Sequence, residues 1–162
     1  MSGQRCANIS GFSLIELLAA AAIVGLLATV AVPFVETTVR RQKEHELRQS
    51  LREIRNAIDA YKQATDSGRV GMQKGESGYP PTLDALTKGV EDPSNKDGPK
   101  IYFLRRIPRD PFVTDLSFPA AATWGKRSFD SPPDHPREGA DVFDVYSTSS
   151  LAGLNGQPYR DW

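Results

Sequence analysis

The sequence predicts an α+β protein in which one long N-terminal helix packs on a small antiparallel sheet. Three observations predict it. Residues 17–35, LLAAAAIVGLLATVAVPFV, contain no charged side chain and a single polar one, Thr29, and are long enough to cross a bilayer as a helix. Beyond them, Leu47, Leu51, Ile54, Ile58, Tyr61 and Thr65 recur at spacings of four, three, four, three and four, which marks one face of a helix. Near the far end, residues 123–129 and 142–147 gather the aromatic and β-branched residues that suit a half-buried sheet.

The chain opens with MSGQRCANISG, a polar segment that carries Arg5 and ends in a glycine directly before the apolar run. A secretory signal peptide is cut after its apolar region, at a small-residue site; here Pro33, Phe34, Val35 and Glu36 follow instead. The polar leader, residues 1–11, is therefore the part expected to be removed, leaving Phe12 as a new N-terminus and the apolar helix in place. An uncleaved signal anchor is the alternative. Gly11 has no side chain, so its backbone can lie extended and close to the catalytic groups of a peptidase. Glu16 stands at the head of the apolar stretch. An ionisable group within hydrocarbon costs about 2.5 kcal/mol or more at depth, so it is usually paired and usually functional.

The helix is expected to continue past the apolar run. Val39 and then the stripe from Leu47 to Thr65 form its apolar side, and Arg40, Lys43, Glu44, Glu46, Arg48, Arg52, Glu53 and Arg55 fill the charged side. Gly68 supplies a stop. Residues 12–67 would span roughly 84 Å at 1.5 Å per residue, and Pro33, which removes one backbone hydrogen bond, is expected to bend or locally melt the helix. The stripe is expected to cover the protein's own sheet rather than form a free coiled coil.

Residues 69–100 are punctuated by glycine and proline, so most of this stretch should be loop. Within it 82–88, TLDALTK, can form a short helix capped by Thr82. Two or three antiparallel strands follow, with Trp124, Phe129, Phe143 and Tyr146 as core or edge packing and residues 130–139 as a loop. Asp141 and Asp144 stand at i and i+3 in a strand, on opposite faces, which argues against a paired-carboxylate site. The organisation that results is a leader at 1–11, a transmembrane and assembly helix at 12–35, and an outer domain at 36–162. That domain divides into an amphipathic helix at 36–67, a loop-rich segment with a short helix at 68–122, and C-terminal strands and tail at 123–162.

Several function classes are disfavoured by composition. Lysines and arginines number 20 against 20 acidic residues, a formal charge of zero that becomes −1 once Arg5 leaves with the leader, so no basic excess argues for nucleic-acid binding. The one cysteine, Cys6, lies in the leader and would leave no disulfide behind. His45 falls on a charged helix face and His135 in a proline-rich loop, with no cysteine nucleophile, G-x-S-x-G or phosphate-binding glycine loop. No enzyme is expected.

The segment Gly11-Phe-Ser-Leu-Ile-Glu, followed by the apolar run with Pro33 inside it, resembles the class III leader of type IV pilins and of the pseudopilins of type II secretion systems. Tyr79, Pro80, Leu83 and Leu86, then Pro108, Asp110, Pro111 and Phe112, are similar to motifs of the major pseudopilin. The resemblance implies a pilin-like fold and cleavage between Gly11 and Phe12 by a prepilin peptidase, which also N-methylates Phe12. It further implies polymerisation with other copies and other pseudopilins on an inner-membrane secretion platform. The C-terminal domain would then be periplasmic, on a single-pass protein of the bacterial inner membrane incorporated into a periplasmic pseudopilus. Glu16 would pair with the Phe12 amine of a neighbouring subunit, which makes two charges tolerable that are costly alone in lipid. Leu14, Leu17, Leu18, Ile23, Leu26, Leu27 and Val30 would pack against equivalent helices, with Gly25 and the alanines allowing close approach.

Major pseudopilins place a calcium loop after the strand matching 144–147. Calcium takes about six to eight oxygen ligands, whereas TSSLAGLNGQPYRDW offers only Asp161 as an acidic side chain. No cofactor is therefore expected, and Leu151, Leu154, Tyr159 and Trp162 are expected to pin the tail by apolar packing. The alternatives in function are a type IV pilin for adhesion, motility or DNA uptake, and an uncleaved membrane-anchored periplasmic binding module.

Overall fold

The computed structural model of the chain describes residues 12–95 and 98–162; the leader, including Gly11, lies outside the described residues. A single helix, α1, runs Leu14–Asp66. It is helical through Pro33, so the local melting expected there does not interrupt it. The chain divides into two compact units, one ending at Arg40 and the other running Arg41–Trp162.

In the first unit the helix presents an apolar surface on every side. Leu14, Ile15, Leu17, Leu18, Ile23 and Leu26 are all more than half exposed. Thr29 Oγ1 donates to the Leu26 carbonyl at 2.7 Å and Thr38 Oγ1 to that of Phe34 at 2.9 Å. The hydroxyl inside the apolar run is thereby satisfied by its own backbone, as a helix out of water requires.

In the second unit the predicted stripe becomes the core. Leu47, Leu51, Ile54, Ile58, Tyr61 and Thr65 are buried, together with Ala57 and Ala64 on the adjoining rows. Val39 is not part of it, being nearly half exposed. Gly68 ends the helix in a Schellman motif: at φ 76° it donates its N–H to Thr65, and Arg69 donates to Ala64 at 2.8 Å. Val70 then folds back into the core.

Opposite the helix lie α2 (Ala85–Lys88), two short 3₁₀ turns at Ala120–Thr123 and Tyr159–Asp161, and a two-stranded antiparallel sheet. Strand β1 (Trp124–Arg127) pairs with β2 (Asp144–Ser147) in the register Trp124↔Ser147 to Arg127↔Asp144. Both strands are shorter than the segments predicted, and they contribute only Trp124 and Val145 to the apolar core. The rest of the cover comes from α2, through Leu86, and from loops and turns, through Leu83, Leu104, Val142 and Tyr159. Helix α2 also starts later than predicted, with Asp84 rather than Thr82 at its N-cap and no side-chain cap. The preceding turn consumes Thr82 differently, because its carbonyl accepts the Ala85 N–H in an i+3 bond.

The segments 79–86 and 108–112 turn out to be clasps. Tyr79 meets Phe143 edge-on with ring centroids 4.9 Å apart, and the Pro80 carbonyl accepts the Val142 N–H at 2.8 Å. The Pro108 carbonyl accepts the Trp124 indole N–H at 2.8 Å. Asp110, 1% exposed, takes the Phe112 N–H on one oxygen and the Ser147 hydroxyl on the other. Phe112 in turn stacks on Tyr159 at 4.1 Å.

Candidate assembly site

The acidic turn at the head of α1 is built by Ser13. Its carbonyl accepts the N–H groups of Glu16 and Leu17 at 3.0 and 3.1 Å, which sets Glu16 in the first helical turn, where the dipole of the helix favours a negative charge. Phe12, immediately before this turn, is 77% exposed. The Glu16 side chain is exposed and makes no hydrogen bond or ion pair with any described residue of its own chain. The carboxylate is therefore available to an external cation.

The apolar side chains around it face the same way chemically. Leucine and isoleucine side chains at 14, 15, 17, 18, 23, 26 and 27, at 100° per residue, together cover all directions of the helix, and such a helix is stable only inside lipid or protein. Of the predicted packing residues, Leu14, Leu17, Leu18, Ile23, Leu26 and Leu27 are exposed; the side chain of Val30 lies outside the described ones. A methyl group built on Gly25 would meet nothing within 4 Å, so this face is open to close approach by another helix. By length and composition α1 is able to cross a membrane.

A second set of residues holds the tail to the helix, and it only partly follows the apolar pinning expected. Tyr159 lies in the core with Trp162 packed against it, whereas Leu151 and Leu154 are about half exposed. The tail is held in addition by Glu44, only 6% exposed, whose Oε1 accepts the Leu154 N–H at 2.7 Å and the Tyr159 hydroxyl at 3.0 Å. Arg55 reinforces it, donating to Asp144 at 2.8 Å, to the Val145 carbonyl at 3.1 Å and to the Trp162 carbonyl at 2.9 Å. Tyr159 is fully buried, Arg48 lies 4.1 Å over the Trp162 ring, and a Cβ on Gly153 would sit 2.4 Å from that ring. Sequence reasoning had put Glu44 on the charged side. The signal that finds it is its position three residues before Leu47, where the four-three pattern of the stripe would continue.

Several side-chain oxygens of this tail are engaged within the chain. Ser147 Oγ donates to Asp110, Asn155 Oδ1 accepts the Gln157 N–H, and Asp161 is exposed beside Arg160. Among the described residues no three acidic, histidine or cysteine side chains converge. Asp141 and Asp144 serve separate partners: Asp141 takes the hydroxyls of Ser77 and Ser128, whereas Asp144 pairs with Arg55 and Arg127.

Residues 6–32, which include the acidic turn and most of the apolar run, match the prokaryotic N-terminal methylation motif. Similar proteins extend the likeness along the chain. A type II secretion system core protein G of Pectobacterium carotovorum subsp. carotovorum is 28% identical over 128 residues, 76% of this chain and 75% of the relative. The chain is similar to type II secretion system core protein G over most of its length. Its likeness to the proteins of that name recurs in Pseudomonas aeruginosa, 28% identical over 72% of this chain and 77% of the relative. In Dickeya chrysanthemi the identity is 24%, over 90% of this chain and 92% of the relative. No solved structure matches it.

Proposed function

We propose that this chain is the structural subunit of a type II secretion pseudopilus, an assembling protein rather than an enzyme. The reading rests above all on one coincidence: the methylation motif falls on the first part of α1, where the apolar side chains are exposed and the one acidic side chain, Glu16, has no partner among the described residues of its own chain. In this reading a prepilin peptidase cuts between Gly11 and Phe12 and methylates the Phe12 amine. The freed amine, basic with an ordinary pKa near 8, pairs with Glu16 of the next copy, and the apolar helices leave lipid for one another. The domain from residue 41 onward then lies in the periplasm, and the filament of copies and other pseudopilins, raised on an inner-membrane platform, supports export across the outer membrane. No calcium is required, because Glu44 and Arg55 do the holding in the tail.

Glu16→Gln tests the pairing. Intact mass should show the same loss of residues 1–11 and the same added methyl as in the natural chain, while the sedimentable filament fraction disappears. Normal filament yield from this variant would sink the pairing, and a full-length chain in the natural protein would sink the processing.

A further inference from the structure

The outward side of α1 between residues 45 and 56 is laid out in lanes. At 100° per residue, Arg48, Arg52 and Arg55 fall within about 60° of one another, and Glu46 and Glu53 superpose on a second line about 100–120° farther round. All but the half-buried Arg55 are exposed, and His45, Gln49 and Asn56 separate the two lanes. The helix itself offers Arg52 and Glu53 no counter-charge. Positions three and four away from Glu53 are Gln49, Ser50, Asn56 and Ala57, and those from Arg52 are Arg48, Gln49, Arg55 and Asn56, so the usual i,i+4 ion pair is absent. Among the described residues the side chains of Glu46, Arg52 and Glu53 make no hydrogen bond or ion pair.

The basic lane borders a groove of about 270 Å³, lined by Arg48, Arg52, Arg55, Asn155, Gln157 and Trp162. Two of its guanidinium groups are held by the chain: Arg55 by Asp144 and the carbonyls of Val145 and Trp162, and Arg48 over the Trp162 ring. Arg52 remains for an outside acceptor in a positive surrounding, the setting in which a guanidinium takes a carboxylate in a forked pair.

We propose that this groove receives Glu53, flanked by Glu46, from a neighbouring copy of the same chain. The inference rests on the filament reading above and adds a second contact to it, remote from Glu16. Charge complementarity selects the partner, since a chain with equal numbers of acidic and basic residues carries both halves of the pair on one helix. When each copy's basic lane meets the acidic lane of a different neighbour the contact is heterologous, and a heterologous contact that does not close propagates into an open filament. An exposed ion pair of this kind weakens as salt is added.

Charge swapping in the full chain, produced together with the secretion machinery, tests it. Arg52→Glu and Glu53→Arg lie on exposed helix positions and should leave the melting temperature unchanged, while each alone abolishes the sedimentable filament. The double variant, which exchanges the charges of the two lanes, should restore it. Assembly in both single variants, or no recovery in the double, overturns the proposal while the natural chain still forms filaments; absence of filaments from the natural chain overturns the filament reading itself. Chains carrying Arg52→Cys, mixed with chains carrying Glu53→Cys, should oxidise to a dimer of one of each. A cross-link to a different protein, or none, overturns the choice of a second copy as occupant.

Discussion

Glu44 illustrates how a single side chain is read differently by sequence and by structure. Its charge suggests solvent, yet the stripe it belongs to is the buried one, and the cost of burying a carboxylate is offset by the Leu154 N–H and the Tyr159 hydroxyl. Removing it takes this acceptor from the buried Tyr159 hydroxyl and from the Leu154 N–H. Glu44→Ala should destabilise the domain by about 2–4 kcal/mol, seen as a fall in melting temperature of roughly 5–15 °C and greater exposure of Trp162 by fluorescence. Tyr159→Phe, which deletes one donor and leaves the carboxylate its other partner, should cost clearly less. Glu16 was legible from its neighbours alone, because an acid at the head of an uncharged apolar run stands out. Glu44 was legible only through periodicity, since a charged residue among other charged residues attracts no notice.

At the scale of elements, periodicity located α1 to within two residues at its start and one at its end. Both a 3.6-residue repeat and a glycine stop are local, and local signals survive tertiary folding. Gly68 is the clean test of that stop. Its φ of 76° disfavours any side chain, while a Cβ there would touch nothing, so Gly68→Ala should cost about 1–2 kcal/mol through the backbone alone, measured by denaturant unfolding. A cost near zero would mean the helix can end without the Schellman motif. Strand limits and the start of α2 were less legible. Strand pairing ends where the partner ends, at Arg127↔Asp144, and the turn at 82–84 takes its shape from Leu83 and Leu86 entering the core. Neither is written in four consecutive residues.

For the molecule as a whole, every buried core hydrophobic among the described residues lies between Leu47 and Tyr159, so the outer domain has its own core and does not need the apolar helix for stability. A chain lacking residues 1–35 should therefore remain folded without detergent and unfold in one cooperative step. On the proposal that Glu44 and Arg55 hold the tail without a metal, its melting temperature should be the same in calcium and in EDTA; a calcium-dependent rise of several degrees would refute that. The methylation motif, the apolar run, Glu16 and the amphipathic stripe were determined by the sequence alone, because each is a property of neighbours along one helix. Tertiary structure decided that Glu44 is buried, that Arg55 ties β2 to the tail, and that the Tyr79-Pro80 and Pro108-to-Phe112 segments are clasps. Those contacts join residues up to 115 positions apart, and a pairing across such a distance exists only once the core has brought its partners together.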